Sequence, residues 1–254
     1  MIGAHEPASD AGDRTPEPIL WGAIAELLAS FTFVFVAAGS VVMAGTGGDG
    51  LVGVAIASGS AFAAAVALSE RRSGGGASPV LTAAFWVAGR LSAPRAASYV
   101  AAQVAGGVVA GLLLRACIPA ATWQAAELGA PLLAQDVGAG RAVLVEAVIA
   151  LLLTITAFAT LVDERRAIPA GPVANVVGFP SLVLGLVVAG GTLVAWPLTG
   201  AAFNPARALG PELAGGVWLD WWVYWVGPLA GGVVGAVAYW FLFLSADEPR
   251  QTDA

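Results

Sequence analysis

Charged side chains are scarce in the apolar part of this sequence, and three of them stand where they could do chemistry. Glu26 and Glu146 are the acids inside long apolar segments, and Arg207 is the arginine in the interior of the apolar sequence. An intramembrane carboxylate serves either in a proton relay or as an acceptor for exposed backbone N–H groups. We expect the second role, because each acid lies in the first long segment of its half, near an irregular loop.

Two short segments that begin with proline carry the remaining polar groups. Ser78 precedes Pro79-Val80, and Asn204 precedes Pro205-Ala206 and Arg207. Asn is a preferred N-cap, so the Asn204 oxygen could cap a helix while its amide donates inward. We expect Arg207 to face water or backbone carbonyls and to donate hydrogen bonds to a solute, the alternative being an arginine that snorkels to the outer interface.

The composition excludes several classes of function. Hydrophobic residues make up 58% of the 254 residues and charged ones 11%, less than half of the quarter that is usual in soluble domains. The net charge of −6 argues against nucleic-acid binding, and the absence of lysine rules out a phosphate-binding loop. One histidine (His5) and one cysteine (Cys117) leave no metal cluster, no cofactor and no catalytic constellation, so we expect no enzyme.

Six apolar segments have the length of a membrane span, about 20 residues for a bilayer core about 30 Å thick. They are residues 19–43, 51–69, 96–114, 142–162, 176–195 and 221–244. Two further segments, 79–89 and 205–213, are too short to cross, and each begins with proline, which suits the first position of a helix. We expect an all-α membrane protein with six transmembrane helices and two re-entrant half-helices.

The arginines predict the orientation, because positive charge stays cytoplasmic in short loops. With both termini inside, eight arginines are cytoplasmic and two are outside; the eight are Arg14, Arg71, Arg72, Arg90, Arg95, Arg165, Arg166 and Arg250, and the two are Arg115 and Arg141. Residues 1–18 are acidic, unlike a cleaved signal peptide, and are expected to form a cytoplasmic tail, as are residues 245–254.

Three pairs of features recur at nearly one offset. The two acids lie 120 residues apart, the two prolines 126, and the run Ala-Gly-Gly-Val-Val recurs from 105 at 230. These offsets predict a single domain over 19–244 built from two repeats, about 19–115 and 141–244. Three crossings per repeat make the copies inverted, and interrupted segments at matching places in inverted halves indicate a transport site at the membrane midplane.

The pattern closely resembles the aquaporin family, also called major intrinsic proteins, over about residues 20–244. Its most specific part is the run from Phe203 to Pro211, Phe-Asn-Pro-Ala-Arg-Ala-Leu-Gly-Pro; Gln103 and the run Tyr-Trp-Val-Gly-Pro from Tyr224 add to it. The resemblance implies a homotetramer, with one pore per subunit, that passes water or small uncharged solutes and needs no cofactor. The short chain with brief loops is compatible with a plasma membrane.

The resemblance also implies which residues meet the solute. Asn204 and Ser78, with the prolines and the residues after them, correspond to the two Asn-Pro-Ala motifs at mid-pore. Arg207 corresponds to the filter arginine, and by counting back from the motifs Ser58, Thr192 and Ala201 complete the filter.

Two departures from the family pattern are informative. The first motif is Ser-Pro-Val, and Gly76 stands where the family has histidine. The filter lacks the aromatic residues of water-selective and glycerol-passing members, so we expect a wide pore for water with larger neutral solutes such as small polyols or urea. The alternatives are a proton-coupled transporter that uses Glu26 and Glu146, and a non-conducting structural membrane protein.

Overall fold

The computed structural model describes residues 19–47, 50–163 and 179–244, and every regular element within them is helical. The helices are α1 (Ile19–Ala44), α2 (Gly50–Ser73), α3 (Pro79–Val87), α4 (Ala93–Cys117), α5 (Ala120–Ala125), α6 (Ala139–Ala157), α7 (Phe179–Thr199), α8 (Pro205–Gly215) and α9 (Val223–Tyr239). A 3₁₀ turn lies at Glu127–Gly129, and π-helical turns extend α6 and α9 over Phe158–Val162 and Trp240–Leu244. The all-α fold class is confirmed.

Six of these helices are long and apolar enough to cross a membrane, which confirms the predicted number of spans. The short segments are also helical, as α3 and α8, with nine and eleven residues. At the 1.5 Å rise of an α-helix they extend only about 14 and 17 Å, roughly half of a bilayer core. They therefore have the length of half-helices, as the sequence predicts.

The helix ends differ from the predicted ones by a few residues. The fifth span is predicted to end at 195, but α7 continues through Pro197 to Thr199 and stops where Gly200 takes a left-handed conformation with φ of 80°. The sixth is predicted to begin at 221, but Trp221 and Trp222 form a turn before α9. The predicted start at 176, both predicted tails, and the loop arginines Arg165 and Arg166 lie outside the described residues.

The two halves of the chain exchange their half-helices. In the first half α1 packs against α2 and α4, and in the second α6 packs against α7 and α9. The half-helix α3 packs on α9 of the second half, whereas α8 packs on α4 of the first. Each half-helix is therefore held by the other repeat, so neither half completes its own core.

Glycines allow these helices to approach closely, and they follow the repeat. A Cβ at Gly106 would overlap the carbonyl oxygen of Leu27, and one at Gly231 would overlap that of Ala147. Both contacts join the third helix of a repeat to its first, at offsets of 125 and 120 residues. Small residues permit such backbone contact, which in a membrane replaces the hydrophobic drive for helix packing.

The outer surface of the bundle is suited to lipid. Large apolar side chains are exposed along all six spans, among them Leu28, Ile56, Leu144 and Leu186. Exposed tryptophans occur near helix ends, as the interface between bilayer and water favours; they are Trp21, Trp86, Trp218, Trp221, Trp222 and Trp240. The buried polar and charged groups, among them Glu26, Glu146 and Arg207, lie near the two half-helices instead.

Candidate functional site

Each half-helix begins with a capping side chain followed by proline. Ser78 has φ −157° and ψ 135°, and its Oγ accepts a hydrogen bond of 3.2 Å from the Val80 N–H. Asn204 has φ −154° and ψ 112°, and its Oδ1 accepts from the N–H groups of Ala206 (3.0 Å) and Arg207 (3.4 Å). The capping interpretation of Asn204 is confirmed, and it uses only the oxygen of the amide.

The amide nitrogen of Asn204 joins the two half-helices. Its Nδ2 donates to the carbonyl oxygen of Ala77 at 3.4 Å, across 127 positions of sequence. Ala77 directly precedes the cap Ser78, so the N-termini of α3 and α8 lie next to each other inside the protein. Both ends carry positive partial charge, which favours a polar neutral molecule between them and disfavours a cation.

The loops that lead to the two caps share one backbone conformation. In the first loop φ is 96° at Gly74, 78° at Gly75 and 47° at Ala77. In the second loop, at an offset of 126 residues, it is 80° at Gly200, 52° at Ala201 and 30° at Phe203. Left-handed alanine and phenylalanine are strained, and such strain persists only where surrounding contacts impose it.

Glu26 of α1 imposes this conformation on the first loop. Its carboxylate accepts hydrogen bonds from the N–H groups of Gly76 (3.2 Å) and Ala77 (2.7 Å). It also accepts from the Ser73 hydroxyl and, at 2.6 Å, from Gln103 Nε2, which in turn lies 2.8 Å from Thr82 Oγ1. A fully buried carboxylate thus accepts hydrogen bonds from loop N–H groups that have no acceptor within a helix.

Glu146 of α6 does the same for the second loop. It accepts from the N–H groups of Ala202 (3.2 Å) and Phe203 (2.5 Å) and from the Thr199 hydroxyl (2.6 Å). The Tyr224 hydroxyl donates to the Thr199 carbonyl at 2.9 Å and fixes the start of the loop. Within the described residues, the hydrogen bonds to either acid come from hydroxyl, amide and backbone groups, and none comes from a second titratable side chain.

Arg207 follows the second cap by three residues and is 3% exposed. Its Nη1 donates to the Gly129 carbonyl at 2.9 Å. Gly129 closes the 3₁₀ turn between α5 and α6, in which Glu127, Leu128 and Gly129 all have positive φ. The guanidinium is therefore turned inward onto a carbonyl, which contradicts the alternative of a side chain that snorkels to the interface.

The three remaining predicted filter residues are all buried. Ser58 lies on α2, next to Gly59, which meets the backbone of Gly185 where α2 and α7 cross. Thr192 lies on α7, and its hydroxyl donates to the Val188 carbonyl at 2.8 Å, which leaves its oxygen free to accept. Ala201 lies in the second loop, three residues before Asn204.

The sequence predicted no role in the site for several residues that hold it. Ser73, Gln103 and Thr199 complete the two carboxylate clusters, and Gly129 holds the arginine. Ser73 and Thr199 lie 126 residues apart, the offset of the two prolines, so the repeat itself could have identified that pair. The repeat could not have identified Gly129, which lies in the segment between the two repeats.

The sequence matches the family model of the major intrinsic proteins over residues 17–239. It is 41% identical to Aquaporin TIP4-4 of Zea mays over 263 aligned positions, which cover 99% of this chain and 96% of the relative. It is 36% identical to Aquaporin-6 of Rattus norvegicus, covering 88% and 78%. The X-ray structure of the aquaglyceroporin from Plasmodium falciparum superposes with a TM-score of 0.74 at 18% identity, covering 90% of this chain and 98% of that one, which shows the shared fold.

We expect Glu146→Ala to destabilise the protein by about 2–4 kcal/mol, because two buried loop N–H groups and one hydroxyl lose their acceptor. Thermal unfolding of the detergent-solubilised protein measures the change. Asp136→Ala, which removes an exposed acid between the 3₁₀ turn and α6, is the control and should leave the unfolding temperature unchanged. An unaltered unfolding temperature in Glu146→Ala would contradict the supporting role.

Proposed function

Because the chain belongs to the major intrinsic protein family, we propose which of its residues form the pore and what that pore admits. The protein is a multi-pass membrane channel for water and small solutes, and it is not an enzyme. One observation carries the assignment of its pore: the hydrogen bond from Asn204 to Ala77 brings the two half-helix N-termini together.

Ser78 and Asn204 are the proposed contacts for the solute at the middle of the membrane. The Asn204 amide has two N–H groups, one of which donates to Ala77, so the second is available to a passing molecule. Ser78 has a single hydroxyl hydrogen to donate, since its oxygen already accepts from Val80. Each half therefore offers a solute one donor at the midplane, an amide N–H from Asn204 and a hydroxyl from Ser78.

Ser58, Thr192, Ala201 and Arg207 are the proposed filter on the outer side of that midplane. Three of the four have small side chains, and two of these bring a hydroxyl oxygen. The guanidinium uses one donor on Gly129, and its other donors remain for a solute. Because pore diameter and lining donors set selectivity, we propose a wide, polar filter that admits water together with glycerol, urea or solutes of similar size.

Flux through the purified protein in proteoliposomes tests this function directly. Stopped-flow light scattering would follow shrinkage in an impermeant osmolyte, and then re-swelling in glycerol and in urea. Fast water and fast solute flux are expected. Fast water flux without solute flux would contradict the wide filter. No flux at all would favour the coupled transporter or the non-conducting protein. No contact among the described residues favours either of these two alternatives.

We propose that both termini face the cytoplasm. Arg71 and Arg72 end α2, Arg90 follows α3 and Arg95 begins α4, so four arginines lie on one side of the bundle. The termini would face the cytosol in the plasma membrane and in an internal membrane alike. A protease-sensitive tag after residue 254 should be cut from the cytoplasmic side only, and cutting from the outside would contradict the orientation.

We further propose a homotetramer with one pore in each subunit, as family resemblance implies. The apolar faces along the spans offer surface for contact between subunits as well as with lipid. Native mass spectrometry of the detergent-solubilised protein should give the mass of four chains, and a single-chain mass would contradict the assembly.

Ser58→Phe should narrow the filter. We expect glycerol and urea flux to fall by about tenfold and water flux to change by less than about threefold, because a bulky ring restricts larger solutes first. Ser60→Phe is the matched control, since Ser60 lies two residues away on α2 but is exposed on the outer surface. Equal solute flux in the two variants would show that Ser58 is not a filter residue.

Ser78→Asn should restore a second amide at the midplane. We expect the ratio of proton flux to water flux to fall, because a second fixed donor opposes a continuous proton-conducting chain of water. An entrapped pH-sensitive dye reports proton entry, and light scattering reports water. A ratio that stays the same in Ser78→Asn would mean that Ser78 does not limit proton exclusion.

A further inference from the structure

Glu212 is a buried acid to which none of the functions above assigns a role. It lies on α8, five residues after Arg207, and is 1% exposed. Neither of its carboxylate oxygens has a hydrogen-bond partner among the described residues. In this it differs from Glu26 and Glu146, whose carboxylates each accept several hydrogen bonds.

The elements packed against α8 bring few charges toward this carboxylate. The outer end of α4 brings Arg115, whose Nη1 donates to the Ala214 carbonyl, and the 3₁₀ turn brings Glu127, which is exposed. The start of α9 brings Tyr224, whose hydroxyl is committed to Thr199, and the exposed Asp220 precedes it. None of these groups hydrogen-bonds the acid.

Arg207 is the positive charge that shares a helix and a buried environment with Glu212. Five residues of α-helix separate them by about 7.5 Å along the axis. Arg207 interacts electrostatically with both Glu146 and Glu212, and no hydrogen bond joins it to Glu212. The Coulomb interaction of buried charges remains large over this distance, because protein and lipid screen it far less than water does.

The formal charges around the second loop therefore do not cancel. Arg207 contributes +1 and Glu146 contributes −1, and Glu212 in its ionised form adds a further −1, for a sum of −1. A neutral side chain at position 212 would return that sum to zero.

We propose that Glu212 is a specificity-determining residue that acts on the filter through space, by offsetting the charge that Arg207 presents to ions. The carboxylate lowers the barrier to monovalent cations, protons included, and raises the barrier to anions. Neutral solutes are indifferent to this charge, so water flux does not depend on it. This inference rests on the proposed filter role of Arg207.

A charge series at position 212 tests the proposal in the full-length protein in proteoliposomes at about pH 8.5, because burial raises the pKa of the Glu212 carboxyl to about 7. Glu212→Gln keeps the shape and removes the charge, Glu212→Leu is a second neutral variant, and Glu212→Lys reverses the charge. One unit charge about 10 Å away, at an intermediate effective dielectric, corresponds to about a tenfold change in ion flux. We expect proton flux to fall about tenfold in both neutral variants and further in Glu212→Lys, with nitrate flux rising in the same order.

The control series is Asp136→Asn and Asp136→Lys, which changes an exposed charge on the same side of the membrane. Its effects should disappear at high salt, because exposed charges are screened, whereas those at position 212 should persist. Water flux should stay within about twofold of wild type in every variant of both series, which reports correct folding.

Opposite trends for protons and nitrate would support the proposal, because a merely structural role does not depend on the sign of the charge. Ion fluxes that are the same in the wild type and the neutral variants, measurable or not, would overturn it. Arg207→Val separates the two levels of inference. If Arg207→Val changes ion flux and the substitutions at position 212 do not, only the proposed role of Glu212 is contradicted. If Arg207→Val has no effect on ion flux either, the proposed filter is contradicted as well.

Discussion

Two stretches of backbone leave helical geometry in the middle of this protein, and everything at the site depends on how their N–H groups are paired. A bilayer core offers no water to such groups, so acceptors must come from the protein. Glu26 and Glu146 supply them, one for each loop, and each binds two consecutive loop N–H groups. The cost of burying two carboxylates is offset by these charge-assisted hydrogen bonds and by the hydroxyl and amide donors around them.

The pairing of the loops explains the position of the half-helices. A carboxylate on the first helix of each repeat holds the loop, and the loop ends at a capping residue inside the membrane. The half-helix therefore starts there, with the positive end of its dipole toward the interior. The other repeat then holds the half-helix itself: Gly107 approaches the Ala206 carbonyl, and Gly232 approaches Val80. The two glycines lie 125 residues apart and their partners 126, so the duplication in the sequence extends to the contacts between individual residues.

The parts of the structure that depend on length and spacing could be predicted from the sequence. Charges delimit the six spans, prolines mark the half-helices, and an acid inside a span indicates a buried acceptor. The segment between α4 and α6 could not be predicted, because its left-handed Glu127 and Leu128 follow no local sequence rule and are imposed by packing of Leu128 in the core. For the same reason the contact between Gly129 and Arg207 could not be predicted from the sequence, although the burial of the arginine could.

The unusual residues of the first loop follow from the cluster around Glu26. A Cβ at Gly76 would lie 2.8 Å from Thr82 Oγ1 and 3.2 Å from Glu26 Oε1, so a side chain there would displace the groups that hold the loop. A histidine at this position would therefore require Thr82 or the carboxylate to move. Gly76 thus leaves room for the Glu26 cluster, whereas the short side chains of Ser78, Ser58 and Ala201 leave room in the proposed pore. In the wide polar pore proposed above, discrimination between ions depends more on fixed charge than on size.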